Sequence, residues 1–247
     1  MRQTRLLMGM PITLILSGRT DGETLCDMVF DYLRRVDERY STYKPTSEIS
    51  RINAGEIQPE GQSSEMKHIL ELCAQTTRET GGYFDIEHDG KLDPSGLVKG
   101  WAIQQAAFLL RDAGVPNFCL SAGGDMQLSG TNESGQVWEV GIRNPLNRHE
   151  VVKKLQLSDC GVATSGTYIR GQHIYNPFQP HQPLDDVLSL TVIGPSVYDA
   201  DRFATAAFAM GKDGIAFIES LPGLEGYMID AMGIATFTSN FERYVKQ

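Results

Sequence analysis

Four stretches of the chain repeat their apolar residues at the 3.6-residue spacing of a helix with one buried face. Over residues 21–40, Leu25, Met28, Val29, Tyr32, Leu33 and Val36 make one stripe. A second stretch opens near Ser63 and Ser64, carries Met66, Ile69, Leu72 and Cys73, and stops at Gly81-Gly82. The third follows Asp93-Pro94-Ser95, places Val98, Trp101, Ala102, Ala106, Leu109 and Leu110 on one face, and ends before Gly114. The fourth covers 197–210 and stops at Gly211, and a weaker fifth lies at 214–221. Between them, short apolar runs bounded by turn residues predict strands at 11–16, 118–122, 137–143, 151–157, 188–194, 226–230 and 234–238. Asn144-Pro145-Leu146-Asn147-Arg148 reads as a turn joining 137–143 to 151–157 in a hairpin. The strands come in clusters instead of alternating with helices. This predicts an α+β fold, antiparallel sheets flanked by helices, built as one unit over residues 1–247 with two intimately packed subregions.

Composition narrows the function. At 41 % hydrophobic and 21 % charged the chain has ordinary globular usage, which removes disordered, collagenous and coiled-coil readings. Lys plus Arg number 22 against 31 Asp plus Glu, a net charge of −9. A body this acidic repels nucleic acid and anionic lipid, so no nucleic-acid partner is expected. A polyanionic small ligand needs a cation or a local basic group beside it. The 4 cysteines are scattered without a C-x-x-C pair, which fits a reducing compartment. After Arg2 and Arg5, the apolar run from Leu6 to Leu16 is broken by Gly9, Pro11 and Thr13, and it reads as a strand and not as a signal peptide. The expectation is a cytoplasmic protein without a membrane anchor.

Four segments carry candidate chemistry. Lys99 falls in the first turn of its predicted helix, where the macrodipole disfavours a cation. Either it snorkels to solvent, or it joins the helix N-terminus in holding an anion such as phosphate. Gly96 and Gly100 beside it permit close backbone approach. Ser121-Ala122-Gly123-Gly124-Asp125 follows a strand. It is either a plain bulge or tight turn, or a ligand turn in which Asp125 takes a hydroxyl or an amine. Asp201 and Thr205, at i and i+4, share a helix face and offer hard oxygens suited to Mg²⁺, although an aspartate early in a helix is also simply compatible with the dipole. Gly161-Val162-Ala163-Thr164-Ser165-Gly166 reads as a turn ahead of His173-Ile174-Tyr175-Asn176-Pro177. His173 is then either an ordinary satisfied histidine or a general base or phosphate contact. His68, His88, His149 and His181 lack such company and read as structural.

The order of these segments resembles the ApbE family of Mg²⁺-dependent FAD:protein FMN transferases. The matching pieces are Met8-Gly9-Met10, Tyr40-Ser41-Thr42-Tyr43, Ser47-Glu48-Ile49-Ser50-Arg51-Ile52-Asn53 and Gly81-Gly82-Tyr83-Phe84-Asp85-Ile86. They continue with Asp93-Pro94-Ser95-Gly96-Leu97-Val98-Lys99-Gly100, Ala122-Gly123-Gly124-Asp125, Ala163-Thr164-Ser165-Gly166, the His173 segment, and Ala200-Asp201 through Thr205-Ala206. The resemblance implies a T-fold-like core and transfer of FMN from FAD to a Ser or Thr hydroxyl of an acceptor protein, with release of AMP. It implies flavin-ring contacts at Met8 and Tyr43, and adenosine or ribose contacts at Phe84, Asp85, Ile86 and Asp93. It also implies Lys99 on the pyrophosphate, Asp125 and Ile174 in the FAD site, and Mg²⁺ on Asp201, Thr205 and the backbone carbonyl near Gly96. Catalysis would rest on His173, Lys99 and Asp201. Two other activities are compatible with the same residues: FAD pyrophosphatase, with water in place of the acceptor, and flavin binding without catalysis.

The chain departs from the family pattern in places. Asn176 stands where the His-Ile-Ile-Asp-Pro motif has aspartate, Asp93-Pro94-Ser95-Gly96 replaces Asp-Leu-Gly-Gly, and Ser121 replaces a frequent asparagine. Many members are lipoproteins or secreted, whereas this sequence shows no lipobox.

Overall fold

The computed structural model describes residues 1–19, 21–147, 149–166 and 174–246. Its centre is an eight-stranded sheet in which every neighbouring pair is antiparallel. In spatial order the strands are β1 (Arg2–Leu7), β2 (Met10–Leu16), β5 (Phe118–Ala122), β6 (Asp125–Ser129), β9 (Gly161–Gly166), β10 (Val187–Gly194), β11 (Glu225–Asp230) and β12 (Ala235–Phe237). Two small two-stranded sheets complete the set, β3 (Glu87–His88) with β4 (Lys91–Leu92) and β7 (Trp138–Arg143) with β8 (Val151–Leu157). The helices are α1 (Gly22–Tyr40), α2 (Glu48–Asn53), α3 (Ser64–Glu79), α4 (Ser95–Asp112), α5 (Val197–Ala209) and α6 (Gly214–Ser220).

Strand alternation sorts the core into layers. Along β5, Phe118, Leu120 and Ala122 face a cluster shared with α1, α3 and α4, while Cys119 faces the opposite side. That opposite side is covered by the β7–β8 hairpin, whose Trp138, Val140, Ile142, Leu155 and Leu157 pack on Leu128, Val162 and Ile193. At the other half of the sheet, α5 and α6 bury Ala200, Phe203, Ala204 and Ile218 against Leu190, Val192 and Met228. Helices therefore lie on one face and a hairpin on the other. α4 is apolar on almost every side because it is the middle helix, packed between α1 and α5.

The clustered-strand reading as antiparallel α+β holds, and so do the helices at their expected places to within a residue or two at the ends. Six elements went unread: β1, α2, β3, β4, β6 and β9. The expected turn at Gly161–Gly166 is a strand, buried between β6 and β10. Its glycines disguise it. A Cβ on Gly161 would meet the Val197 backbone nitrogen at 1.9 Å, so the α5 N-terminus requires glycine there. The four cysteines are buried without disulfides, and burial pushes the thiols of Cys73, Cys119 and Cys160 up to about 12. They are inert packing residues.

Candidate functional site

A cleft of about 510 Å³ opens between the first turns of α4, the end of α5 and the segments 83–93 and 174–184. Local chemistry builds its floor. Ser196 caps α5 by accepting from Asp199 N–H at 3.1 Å, and this fixes the turn that carries Asp201. α4 and α5 run antiparallel and meet through small residues: a Cβ on Gly96 would lie 3.3 Å from Thr205 Cγ2, and one on Gly100 would lie 2.7 Å from Asp201 Cβ. Glycine at both positions lets the two backbones come close enough to bring Asp201 and Thr205 against the start of α4.

Asp201 and Asp125 are each about 2 % exposed, and the Lys99 ammonium sits between them. Lys99 Nζ lies 3.1 Å from Asp201 Oδ1 and pairs with Asp125 Oδ2. The second oxygen of each carboxylate takes a backbone donor: Gly100 N–H donates to Asp201 Oδ2 at 2.8 Å, and Thr164 N–H donates to Asp125 Oδ1 at 3.0 Å. Burial pushes the Asp201 carboxyl up to about 7, against the pull of Lys99. Asp125 is delivered by a two-residue hairpin, Gly123-Gly124, with both residues at positive φ, +60° and +107°. The segment is a tight turn whose Gly123 lines the cleft, and its aspartate pairs with the Lys99 amine.

The placement of Lys99 corrects the sequence-based puzzle. It is the fifth residue of α4, one turn inside the helix. Its charge is met by two carboxylates from β6 and α5, so the helix dipole alone demands no anion at this position.

Gly100 N–H has the Gly96 carbonyl as its regular helical acceptor. Its bond to Asp201 leaves that carbonyl able to offer a lone pair to a ligand. Asp201, Thr205 and the Gly96 carbonyl together make a hard-oxygen donor set at the edge of the cleft, which fits Mg²⁺ completed by substrate phosphate and water. Among the described residues no group of three or more His, Cys, Asp or Glu side chains could hold a metal ion.

The rim is made differently. Phe84 is buried beneath Gly96, with its N–H bound to Thr80 Oγ1 at 3.0 Å. Asp93 Oδ1 accepts from Ser95 N–H at 3.0 Å and so starts α4, while Asp93 N–H donates to Ile86 O at 2.7 Å. Asn53 clamps this segment from α2 with two bonds to the Leu92 backbone, 2.8 and 2.9 Å. Across the cleft, the Tyr175 hydroxyl donates to Glu87 O at 3.1 Å and Asp85 Oδ2 at 3.3 Å, and its ring lies 4.6 Å from that of His88. Burial and these acidic neighbours hold the Tyr175 phenol up at about 12, so it stays a donor at neutral pH. Tyr83 and Phe178 meet edge-on at 4.9 Å.

Of the expected site residues, Phe84, Asp85, Ile86, Asp93, Gly96, Lys99, Ile174 and Thr205 line the cleft, with Asp125 and Asp201 directly beneath Lys99. Met8 and Tyr43 do not line it. Met8 sits in the β1–β2 hairpin turn at φ +53°, at the same sheet end as Gly123, and packs partly on the core. Tyr43 stands 96 % exposed beside α2. His173 lies outside the described residues. His88 and His181, read as structural, line the cleft, as does Tyr175. Asn53 and Tyr175 stand in matched motifs, but their roles were not read, because the contacts that give them one join segments far apart in the chain.

Comparison with known proteins gives a consistent picture. The model of the ApbE family matches residues 8–90 and 87–228. The FAD:protein FMN transferase of Vibrio cholerae is 25 % identical across 82 % of this chain and 78 % of its own. Those of Salmonella typhimurium and Klebsiella pneumoniae are 29 % and 30 % identical across 60 % of this chain, which spans 45 % of their length. The solved flavin transferase ApbE from Vibrio cholerae superposes with a TM-score of 0.86 at 22 % identity, covering 99 % of this chain and 98 % of that one. The ApbE protein from Thermotoga maritima gives 0.85 at 19 % identity, covering 100 % and 99 %. No helix among the described residues is long and apolar enough to cross a membrane.

Proposed function

The chain belongs to the ApbE family, and on that premise we propose that it is an FAD:protein FMN transferase. The acceptor group is a Ser or Thr hydroxyl of another protein. Its oxygen attacks the FMN-side phosphorus of FAD, a new phosphoester bond forms, the pyrophosphate P–O bond breaks, and AMP departs. The hydroxyl proton passes to a base, which we assign to His173 from the motif it occupies.

One observation carries this reading: Gly96, Lys99, Asp201 and Thr205 converge on the floor of a cleft whose walls include Tyr83, Phe84, Tyr175, Asp85 and Asp93. Asp201, Thr205 and the Gly96 carbonyl would hold Mg²⁺. When bound, the metal supplies positive charge against the oxygens of the pyrophosphate. Lys99 lies within reach of the same space and supplies a second positive charge. Phe84, Asp85, Ile86, Asp93 and Ile174 form the wall for the adenosine half of FAD. Asp125 keeps Lys99 in place, and Met8 and the exposed Tyr43 flank the flavin ring. The four buried, unpaired thiols suit a reducing compartment, and we place the protein in the cytoplasm.

The test incubates the protein with FAD, Mg²⁺ and candidate flavoproteins from neighbouring genes, followed by intact-mass measurement. An acceptor that gains one FMN, with one AMP released per adduct, is the expected result. AMP and free FMN without an adduct would make the protein an FAD pyrophosphatase, and FAD bound but not consumed would make it a carrier.

A further inference from the structure

The way the two buried carboxylates are held has a consequence for how the site accepts a cation. Asp201 Oδ2 accepts from Gly100 N–H at 2.8 Å, which leaves Oδ1 as the oxygen with more lone-pair capacity for a metal ion. That is the oxygen Lys99 holds at 3.1 Å. Asp125 is arranged in parallel: Oδ1 receives Thr164 N–H at 3.0 Å, while Oδ2 is fully buried, faces Lys99 and makes no aligned hydrogen bond among the described residues. The two carboxylates come from different layers, α5 and β6, and Lys99 bridges them from α4 with 17 % of its side chain open to the cleft.

We propose that Lys99 is a resident cation which neutralises Asp201 in the metal-free protein, and that Asp125 is the positioning residue that retains Lys99 at the cleft wall when a divalent ion takes Asp201. The proposal rests on the assignment of Asp201 as a metal ligand in the function above. With both carboxylates ionised and Lys99 charged, the trio of Asp201, Asp125 and Lys99 carries a net −1. A divalent ion bound beside a retained lysine turns it to +1. A divalent ion thus shifts the charge of this trio by +2, which favours a pyrophosphate beside it, so metal and dinucleotide bind with positive coupling. Of the two described ion pairs of Lys99, the one with Asp125 is the one that a metal ion on Asp201 leaves in place.

Mn²⁺ binding without nucleotide, followed by electron paramagnetic resonance or calorimetry, tests this directly. The decisive variant is the double Lys99→Met, Asp125→Asn. It keeps the net charge of the floor at −1 while removing the competitor, and it leaves no extra buried carboxylate to endanger folding. Competition predicts that it binds Mn²⁺ at least ~10-fold more tightly than wild type, about 1.4 kcal/mol. The single Asp125→Asn variant should bind Mn²⁺ more weakly than wild type, and this loss should vanish once Lys99 is also replaced. Equal or weaker Mn²⁺ binding by the folded double variant overturns the proposal. The underlying ligand assignment fails separately if Asp201→Asn leaves Mn²⁺ binding unchanged in the presence of FAD.

Discussion

The floor and the rim of the cleft are built on opposite principles. The floor is helix against helix, with glycines at the crossing and buried charges whose oxygens are held by backbone donors and by Lys99. The rim consists of short strands and loops joined by aromatic edges, with Phe178 61 % exposed and His88 half exposed. A floor of this kind is set before any ligand arrives, and a preorganised array of charge is what stabilises a transferring phosphoryl group. The rim offers area and stacking surfaces and contributes reach. Chemistry should therefore be lost by small changes to the floor, and affinity eroded gradually by changes to the rim.

The comparison can be broken most severely at Gly100. A methyl group there would meet Asp201 Cβ at 2.7 Å and Val197 O at 2.9 Å, with helix backbone on both sides. Overpacking of this sort costs ~1–3 kcal/mol, so Gly100→Ala should lower the denaturant midpoint clearly. The larger Phe178→Ala truncation on the exposed rim should scarcely move it. Comparable midpoints for the two variants would mean that the floor is no more tightly specified than the rim.

The next effect is one of pH. The folded-state pKa of Asp201, about 7, lies well above the ordinary aspartate value, so the folded protein binds this proton more tightly than the unfolded chain does. That stabilisation is complete below about pH 4 and is lost as the pH rises through 7. In EDTA, thermal stability should decline from pH 5.5 to pH 8 by on the order of 1–2 kcal/mol. Asp201→Asn should flatten the profile. An unaltered slope in that variant would show that Asp201 does not titrate in this range.

Smallest is the effect expected at Tyr175. Phenylalanine keeps the ring against His88 and removes hydrogen bonds of 3.1 and 3.3 Å to groups at the surface. Tyr175→Phe should cost no more than ~1 kcal/mol in stability and weaken FAD binding by a few-fold at most. Its turnover at saturating FAD should equal that of wild type. A collapse of turnover with unchanged affinity would assign the rim a part in the chemistry.

The same division governs what could be read in the sequence. Floor residues announce themselves locally: Asp201 and Thr205 are one helical turn apart, and Gly96, Lys99 and Gly100 fall within one stretch of five. What stayed hidden even there was the partner of Lys99, because its two carboxylates come from β6 and α5. The anion was inferred from the helix position of Lys99 alone, with no sign of the two protein carboxylates beside it. Rim contacts are long-range by construction. Tyr175 reaches Asp85 across 90 positions, and Asn53 reaches Leu92 across 39. No periodicity encodes such pairs. The unread strands fail for a related reason. β9 is glycine-bounded and rich in small residues because α5 presses on it, and β6 begins with the buried Asp125. Burial in a sheet interior overrode the polar look of both.

The most direct test of the floor-and-rim account pairs two readings on one variant, Asp201→Asn, which keeps the shape of the side chain and removes its charge. FAD affinity is measured by quenching of flavin fluorescence, and transfer by the mass of the acceptor after incubation with FAD and Mg²⁺. The account predicts a folded variant that holds FAD within several-fold of wild type, because the rim is intact, and that adds no FMN to the acceptor. Transfer at the wild-type rate by a folded Asp201→Asn protein would contradict it.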